Sequence, residues 1–111
     1  MKIGIVDYGM GNIQSVKNSL QKIGLSAEVV FDKLGIEHSD LIILPGVGAF
    51  PMAMSQIRAL GIDEALSAHV SKNKPLIGIC LGMQLLFSRS NEFGETAGLN
   101  FIEGDVKQFS S

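Results

Sequence analysis

Short aliphatic runs that stop abruptly at glycine-bearing loops constrain this chain more than any other feature. Lys2 to Val6 stops at Asp7-Tyr8-Gly9-Met10-Gly11-Asn12, Leu41 to Leu44 at Pro45-Gly46-Val47-Gly48-Ala49-Phe50, and Pro75 to Ile79 runs into Cys80-Leu81-Gly82. A fourth run, Ala27 to Phe31, is likewise bounded by turn residues. Aliphatic runs without polar alternation predict strands buried on both faces, which occur in parallel sheets covered by helices. Between the runs, Ile13, Val16, Leu20 and Ile23 fall at helical spacing, and Gly24 stands where such a helix stops. Pro51 opens another helical pattern through Ala53, Ile57 and Leu60, Gly61 interrupts it, and Ile62, Leu66 and Val70 carry the next. A helix holding Gln84, Leu85, Leu86 and Phe87 is expected after Cys80. The order β, α, β, β, α, β, α predicts an open, mostly parallel sheet with helices on both faces, because parallel strands require crossovers. Beyond Asn91 the pattern weakens, with a last strand expected at Val106 to Phe109.

A chain of 111 residues has material for one core and therefore for one domain. Nine basic against eleven acidic residues leave a net charge of -2, with no block of like charges to bind phosphodiester or anionic lipid. Neither nucleic acid nor a membrane surface is expected as a partner. The longest uncharged stretch, Leu41 to Ile57, is broken by Pro45, Gly46, Gly48 and Pro51, and falls short of the roughly 20 apolar residues of a membrane span. Ile3 to Val6 is too short for a signal-peptide core. A soluble, cytoplasmic protein is expected. One cysteine and two histidines leave no internal disulfide and no metal site, so any interest in Cys80 lies in its thiol.

In a sheet of this kind ligands bind beyond the carboxyl ends of the strands, where the glycine-bearing loops fall. Gly78-Ile79-Cys80-Leu81-Gly82 has the form G-x-C-x-G between a strand and a helix, the cysteine version of a nucleophile elbow. The glycines admit a sharp turn that lifts the thiol into the crevice, the helix dipole favours thiolate, and the Leu81 amide is a natural oxyanion donor. The plainer alternative is a Cys80 buried as a small hydrophobe. Val47, between two glycines, can offer a second amide N–H to the crevice, although a plain β-to-α turn would look the same. Gly9-x-Gly11, with Asp32 closing the second run, imitates a dinucleotide fingerprint, but Gln14 occupies the third glycine position and argues against it. Tyr8, Met10 and Asn12 then have no evident core duty, and fit a crevice edge or an exposed partner-facing loop. A base for the thiol is not evident. His38 precedes the third run and His69 lies late in a helix, and both read as surface histidines away from the catalytic edge.

Together, D-Y-G-M-G-N, P-G-V-G-A-F and G-I-C-L-G-M-Q resemble the class I glutamine amidotransferases, a flavodoxin-like α/β family, and within it the glutaminase subunits of imidazole glycerol phosphate synthase. The resemblance spans essentially the whole chain and only about the first half of such a domain, so residues 1–111 are expected to be the N-terminal part of one amidotransferase domain. It implies that Cys80 attacks the side-chain amide of L-glutamine, giving a thioester and ammonia without any cofactor. It also implies that the backbone N–H groups of Val47 and Leu81 bind the oxyanion, and that Gly46, Gly48 and Gln84 line the glutamine pocket. Tyr8, Met10 and Asn12 would face a (β/α)8-barrel cyclase that receives the ammonia in histidine biosynthesis. The family's catalytic His and Glu lie well downstream of the elbow, and no histidine follows His69 in these residues. The resemblance therefore implies a fragment or a degenerate form, inactive as it stands and incomplete at its C-terminal edge. Two other readings stay open, a non-catalytic partner-binding module of the same fold and a different cysteine-elbow enzyme that recruits His69 or His38.

Overall fold

The structure, a computed structural model, describes residues 1–92 and 94–106. Along the chain run β1 (Ile3–Val6), α1 (Ile13–Lys22), β2 (Ala27–Val30), α2 (Lys33–Glu37), β3 (Leu41–Leu44), α3 (Phe50–Ala59), α4 (Ile62–Ser71) and β4 (Leu76–Gly78). They are followed by α5 (Leu81–Gln84), β5 (Phe87–Ser90), β6 (Thr96–Ala97) and β7 (Ile102–Val106). The first four strands form one parallel sheet in the order β2-β1-β3-β4. That order is flavodoxin-like, and it puts β1 and β3 in the centre.

Alternation along the strands sorts side chains between the two faces. Val6, Val30, Ile42 and Leu44 join Ile36, Phe50, Met54, Ile57, Ile62 and Leu66 in the larger core, so α2, α3 and α4 cover that face. Ile3, Ile5, Ala27 and Ile43 face the other way, against Ile13, Val16 and Leu20 of α1. The helix boundaries follow the expected punctuation. Gly24, just past α1, has φ +83, Pro51 lies in the first turn of α3, and Gly61 takes φ 71 as the N-cap of α4.

Several expectations change. The Ala27 to Phe31 run is an edge strand with Glu28 and Val29 exposed, so it is not buried on both faces. An unforeseen helix, α2, supplies the crossover between β2 and β3. It is five residues long, carries a glycine inside, and buries only Ile36, so it has no readable period; its start is fixed by the Asp32 carboxylate accepting the Gly35 N–H at 2.9 Å. Asp32 thus has a structural duty as a helix cap. The helix after Cys80 is one turn, and Phe87 already belongs to β5. There the carbonyls of Leu85, Leu86 and Phe87 accept N–H groups of Leu99, Phe101, Ile102 and Asn100, so tertiary bonding replaces further helix. A second sheet, β6-β5-β7, results, with β5 and β7 parallel. The strand expected at Val106 to Phe109 is met by β7 only at its first residue, and residues 107–109 lie outside those described.

His69 is a further correction. It is 3% exposed, and its Nε2 lies 2.8 Å from the Pro75 carbonyl oxygen, while Nδ1 is buried without a hydrogen-bond partner. The turn after α4 folds Pro75 back onto the helix, which a helical pattern ending near Val70 could not reveal. His38 is exposed after α2, as expected.

Candidate active site

The carboxyl edge of the sheet gathers three loops. The first leaves β1 at Asp7, the second leaves β3 at Pro45, and the third is the turn from β4 into α5. Ladder bonding extends past the strands proper. The Ile79 N–H donates to the Leu44 carbonyl at 3.0 Å, and the Leu81 N–H donates to the Gly46 carbonyl at 3.2 Å. These are consecutive rungs of a parallel ladder, and they press the β3 loop against the turn that carries Cys80.

That turn is an elbow. Cys80 has φ 56 and ψ -124, a conformation that L-residues seldom adopt, and the Gly82 N–H closes the turn on the Ile79 carbonyl at 3.0 Å. These are the features of a type II′ turn with cysteine where glycine is normally required. Both flanking glycines are needed because backbone passes where their side chains would be. A Cβ at Gly78 would sit 2.6 Å from Met83 Cα, and one at Gly82 would overlap the Leu44 carbonyl. The strain is held in place by these contacts and leaves the thiol exposed at the crevice. Exposure rules out the reading of Cys80 as a buried hydrophobe. The helix behind it is a single turn, so the dipole expected to favour thiolate is that of one turn only.

Of the residues expected at this site, Gly46 and Leu81 are in contact, since a Cβ built on Gly46 lies 3.1 Å from Leu81 Cβ and 3.0 Å from the Gly82 nitrogen. Gly48 has φ +102, and a Cβ built on it would lie 3.0 Å from the Met10 methyl. Val47 and Met83 are about half exposed at the rim, Gln84 is half-buried in α5, and Asn12 is exposed as the N-cap of α1 without a side-chain capping bond. Tyr8 differs from its expected place on an exposed loop. It is 2% exposed, and its hydroxyl donates to the Pro45 carbonyl at 2.8 Å. The alternation Val6, Tyr8 carried that signal, because both residues point to the larger core.

The two amides expected as oxyanion donors are not both available in this conformation. The Leu81 N–H is already taken by the Gly46 carbonyl. In a trans peptide the N–H is opposed to the C=O, so the Val47 N–H points away from Leu81. The ladder rung itself is the cause, and Gly46 leaves the peptide free to turn. Neither histidine approaches the thiol from the expected side. His69 contacts Pro75 before the amino end of β4, and His38 precedes β3, whereas Cys80 follows the carboxyl end of β4. A cavity of about 1080 Å³ lies instead against the small sheet, walled by Ser88, Asn100, Phe101 and Glu103. No cluster of three or more metal-ligating side chains occurs among the described residues, and no helix there is long and apolar enough to cross a membrane.

Burial makes Tyr8 a titration probe. Desolvation pushes its hydroxyl from an ordinary 10.0 up to about 12. Because the folded value is the higher, the stabilisation is present below pH ~10 and is lost as pH rises toward 12, by on the order of 2–3 kcal/mol. The chain has one tyrosine and no tryptophan. Its phenolate absorbance is expected to appear near pH 12 in the folded chain and near 10 in denaturant, and a folded midpoint near 10 contradicts the buried placement.

Comparison with known proteins gives the family and the fold. The family model described as glutamine amidotransferase class-I matches residues 4–105. The imidazole glycerol phosphate synthase subunit HisH of Caldanaerobacter subterraneus subsp. tengcongensis is 48% identical over 104 residues, covering 94% of this chain and 51% of that protein. The subunit of the same name from Syntrophotalea carbinolica is 49% identical over 107 residues, covering 96% and 52%. The chain thus spans about half the length of the curated relatives it matches. A solved glutamine amidotransferase superposes with TM-score 0.82 at 24% identity, over 96% of this chain and 56% of that structure, which supports the fold.

Proposed function

The chain belongs to the class I glutamine amidotransferase family, and from that premise we propose that residues 1–111 are the nucleophile-bearing N-terminal part of a glutaminase domain. The observation that carries the reading is Cys80, exposed at φ 56 in a glycine-flanked elbow at the carboxyl edge of a parallel sheet. The Cys80 sulfur attacks the side-chain amide carbon of L-glutamine, and the carbonyl oxygen takes the negative charge. Collapse of that adduct expels ammonia and leaves a thioester, which water hydrolyses to glutamate. The oxyanion is received by the Leu81 and Val47 N–H groups once the Gly46–Val47 peptide has turned its carbonyl away. Gly46, Gly48 and Gln84 line the glutamine site. The conformation described above is then a resting state.

Two parts of the reaction lie elsewhere. Proton transfer falls to a base and its orienting group outside residues 1–111, because neither histidine stands at the thiol's edge. The ammonia passes to a (β/α)8-barrel cyclase in a cytoplasmic heterodimer serving histidine biosynthesis, a role supported by the relatives' shared name. Met10 and Asn12 form the facing loop, while the Tyr8 side chain, being buried, serves it from beneath. The 111-residue chain alone is expected to hydrolyse glutamine at least about 10⁴-fold more slowly than the complete glutaminase, since a catalytic unit without its general base fails as a whole. Glutamate release by both forms measures it, and equal rates contradict the assignment. The closed Gly46 carbonyl also fits a second reading, a non-catalytic docking module, which a complete but inactive assembly favours.

A further inference from the structure

We infer that Tyr8 is a positioning residue for the oxyanion site, its hydroxyl fixing the peptide next to the one that must turn; the inference rests on the glutaminase reading above. Two successive carbonyls of the β3 loop are held from different sides. The Pro45 carbonyl accepts the Tyr8 hydroxyl at 2.8 Å, and the Gly46 carbonyl accepts the Leu81 N–H at 3.2 Å. The Tyr8 oxygen also occupies the space where a Cβ on Gly46 would lie, so tyrosine at one position requires glycine at the other. The rest of the ring is packed in the larger core.

Bringing the Val47 N–H toward the crevice means breaking the Leu81 to Gly46 bond and rotating one peptide plane. If the Pro45–Gly46 plane stays fixed, the rotation needs only ψ of Gly46 and φ of Val47, and the N–H arrives in one orientation beside Leu81. The Tyr8 hydroxyl supplies that fixed end, and Gly46 supplies the freedom. Without the hydroxyl the neighbouring plane turns as well, and the second donor is spread over several directions. Misplacing a catalytic group by about 1 Å costs up to about 10²-fold in rate.

The test is Tyr8→Phe in the full-length glutaminase bound to its cyclase, with Cys80→Ala beside it. Two rates are measured, glutamine hydrolysis and alkylation of Cys80 by iodoacetamide, since alkylation displaces iodide and forms no oxyanion. In Tyr8→Phe, kcat is expected to fall about 10- to 100-fold, with KM and the alkylation rate within about two-fold of the parent. An unchanged kcat overturns the inference. So does a parallel loss of kcat and alkylation, or loss of the fold by circular dichroism, since either makes Tyr8 a structural residue only. Cys80→Ala that still hydrolyses glutamine overturns the underlying glutaminase reading instead.

Discussion

Replacing Cys80 by alanine is expected to lower glutamine hydrolysis by the complete, partner-bound enzyme by about 10⁴-fold or more, because the members of a catalytic unit fail together. The fold should survive, since Cys80 is exposed and little packing is lost. Cys80→Gly sharpens the result. At φ 56 a cysteine carries backbone strain that glycine does not, and relief of that strain outweighs the added entropy of an unfolded glycine. The variant is expected to gain about 1 kcal/mol in stability while losing activity as completely as the alanine form. Urea midpoints and glutamate release read the two effects separately. A glycine variant that is destabilised would place Cys80 in an ordinary turn, and one that remains active would remove its role as nucleophile.

Gly82→Ala carries the second large effect. A Cβ there overlaps the Leu44 carbonyl and lies 3.1 Å from the Pro45 carbonyl carbon, and both are backbone atoms that no rotamer change can move aside. The strand end or the elbow must shift, at a cost of about 3 kcal/mol or more. The same shift displaces Leu81, whose N–H is the first oxyanion donor, so activity falls in whatever fraction still folds. Gly9→Ala serves as the control. Gly9 has the positive φ, +91, that Gly82 lacks, but nothing lies within 4 Å of its Cβ position, so it is expected to lose only about 1 kcal/mol of backbone preference. Equal denaturation midpoints for the two variants contradict the close packing of the elbow on β3.

Much of this architecture is legible in the chain because it is written in side-chain chemistry. The aliphatic run of β3, Leu41–Leu44, has the bounds read from sequence, and those of β1, β2 and β4 differ by a residue at one or both ends. The glycines at 24, 48, 61 and 82 mark places where a backbone turns or passes close. Elements without a period of their own stayed hidden. The crossover α2 buries one residue, and Leu85 to Phe87, though helical in composition, bond to a segment more than ten residues away. His69 and Tyr8 were misplaced because their burial depends on partners brought by tertiary folding, Pro75 and Pro45. Alternation with Val6 could have placed the tyrosine. The orientation of the Gly46–Val47 peptide had no such marker. Gly46 permits either orientation, and the ladder rung to Leu81 selects one.

The most direct test is to quench the complete enzyme during turnover with L-glutamine and look for a γ-glutamyl thioester by mass spectrometry. The adduct is expected on the peptide containing Cys80, to be absent from Cys80→Ala, and to accumulate when thioester hydrolysis is slowed. Glutamate formed at the full rate with Cys80 unmodified, or an adduct on any other residue, would contradict the assignment of the elbow as the nucleophile.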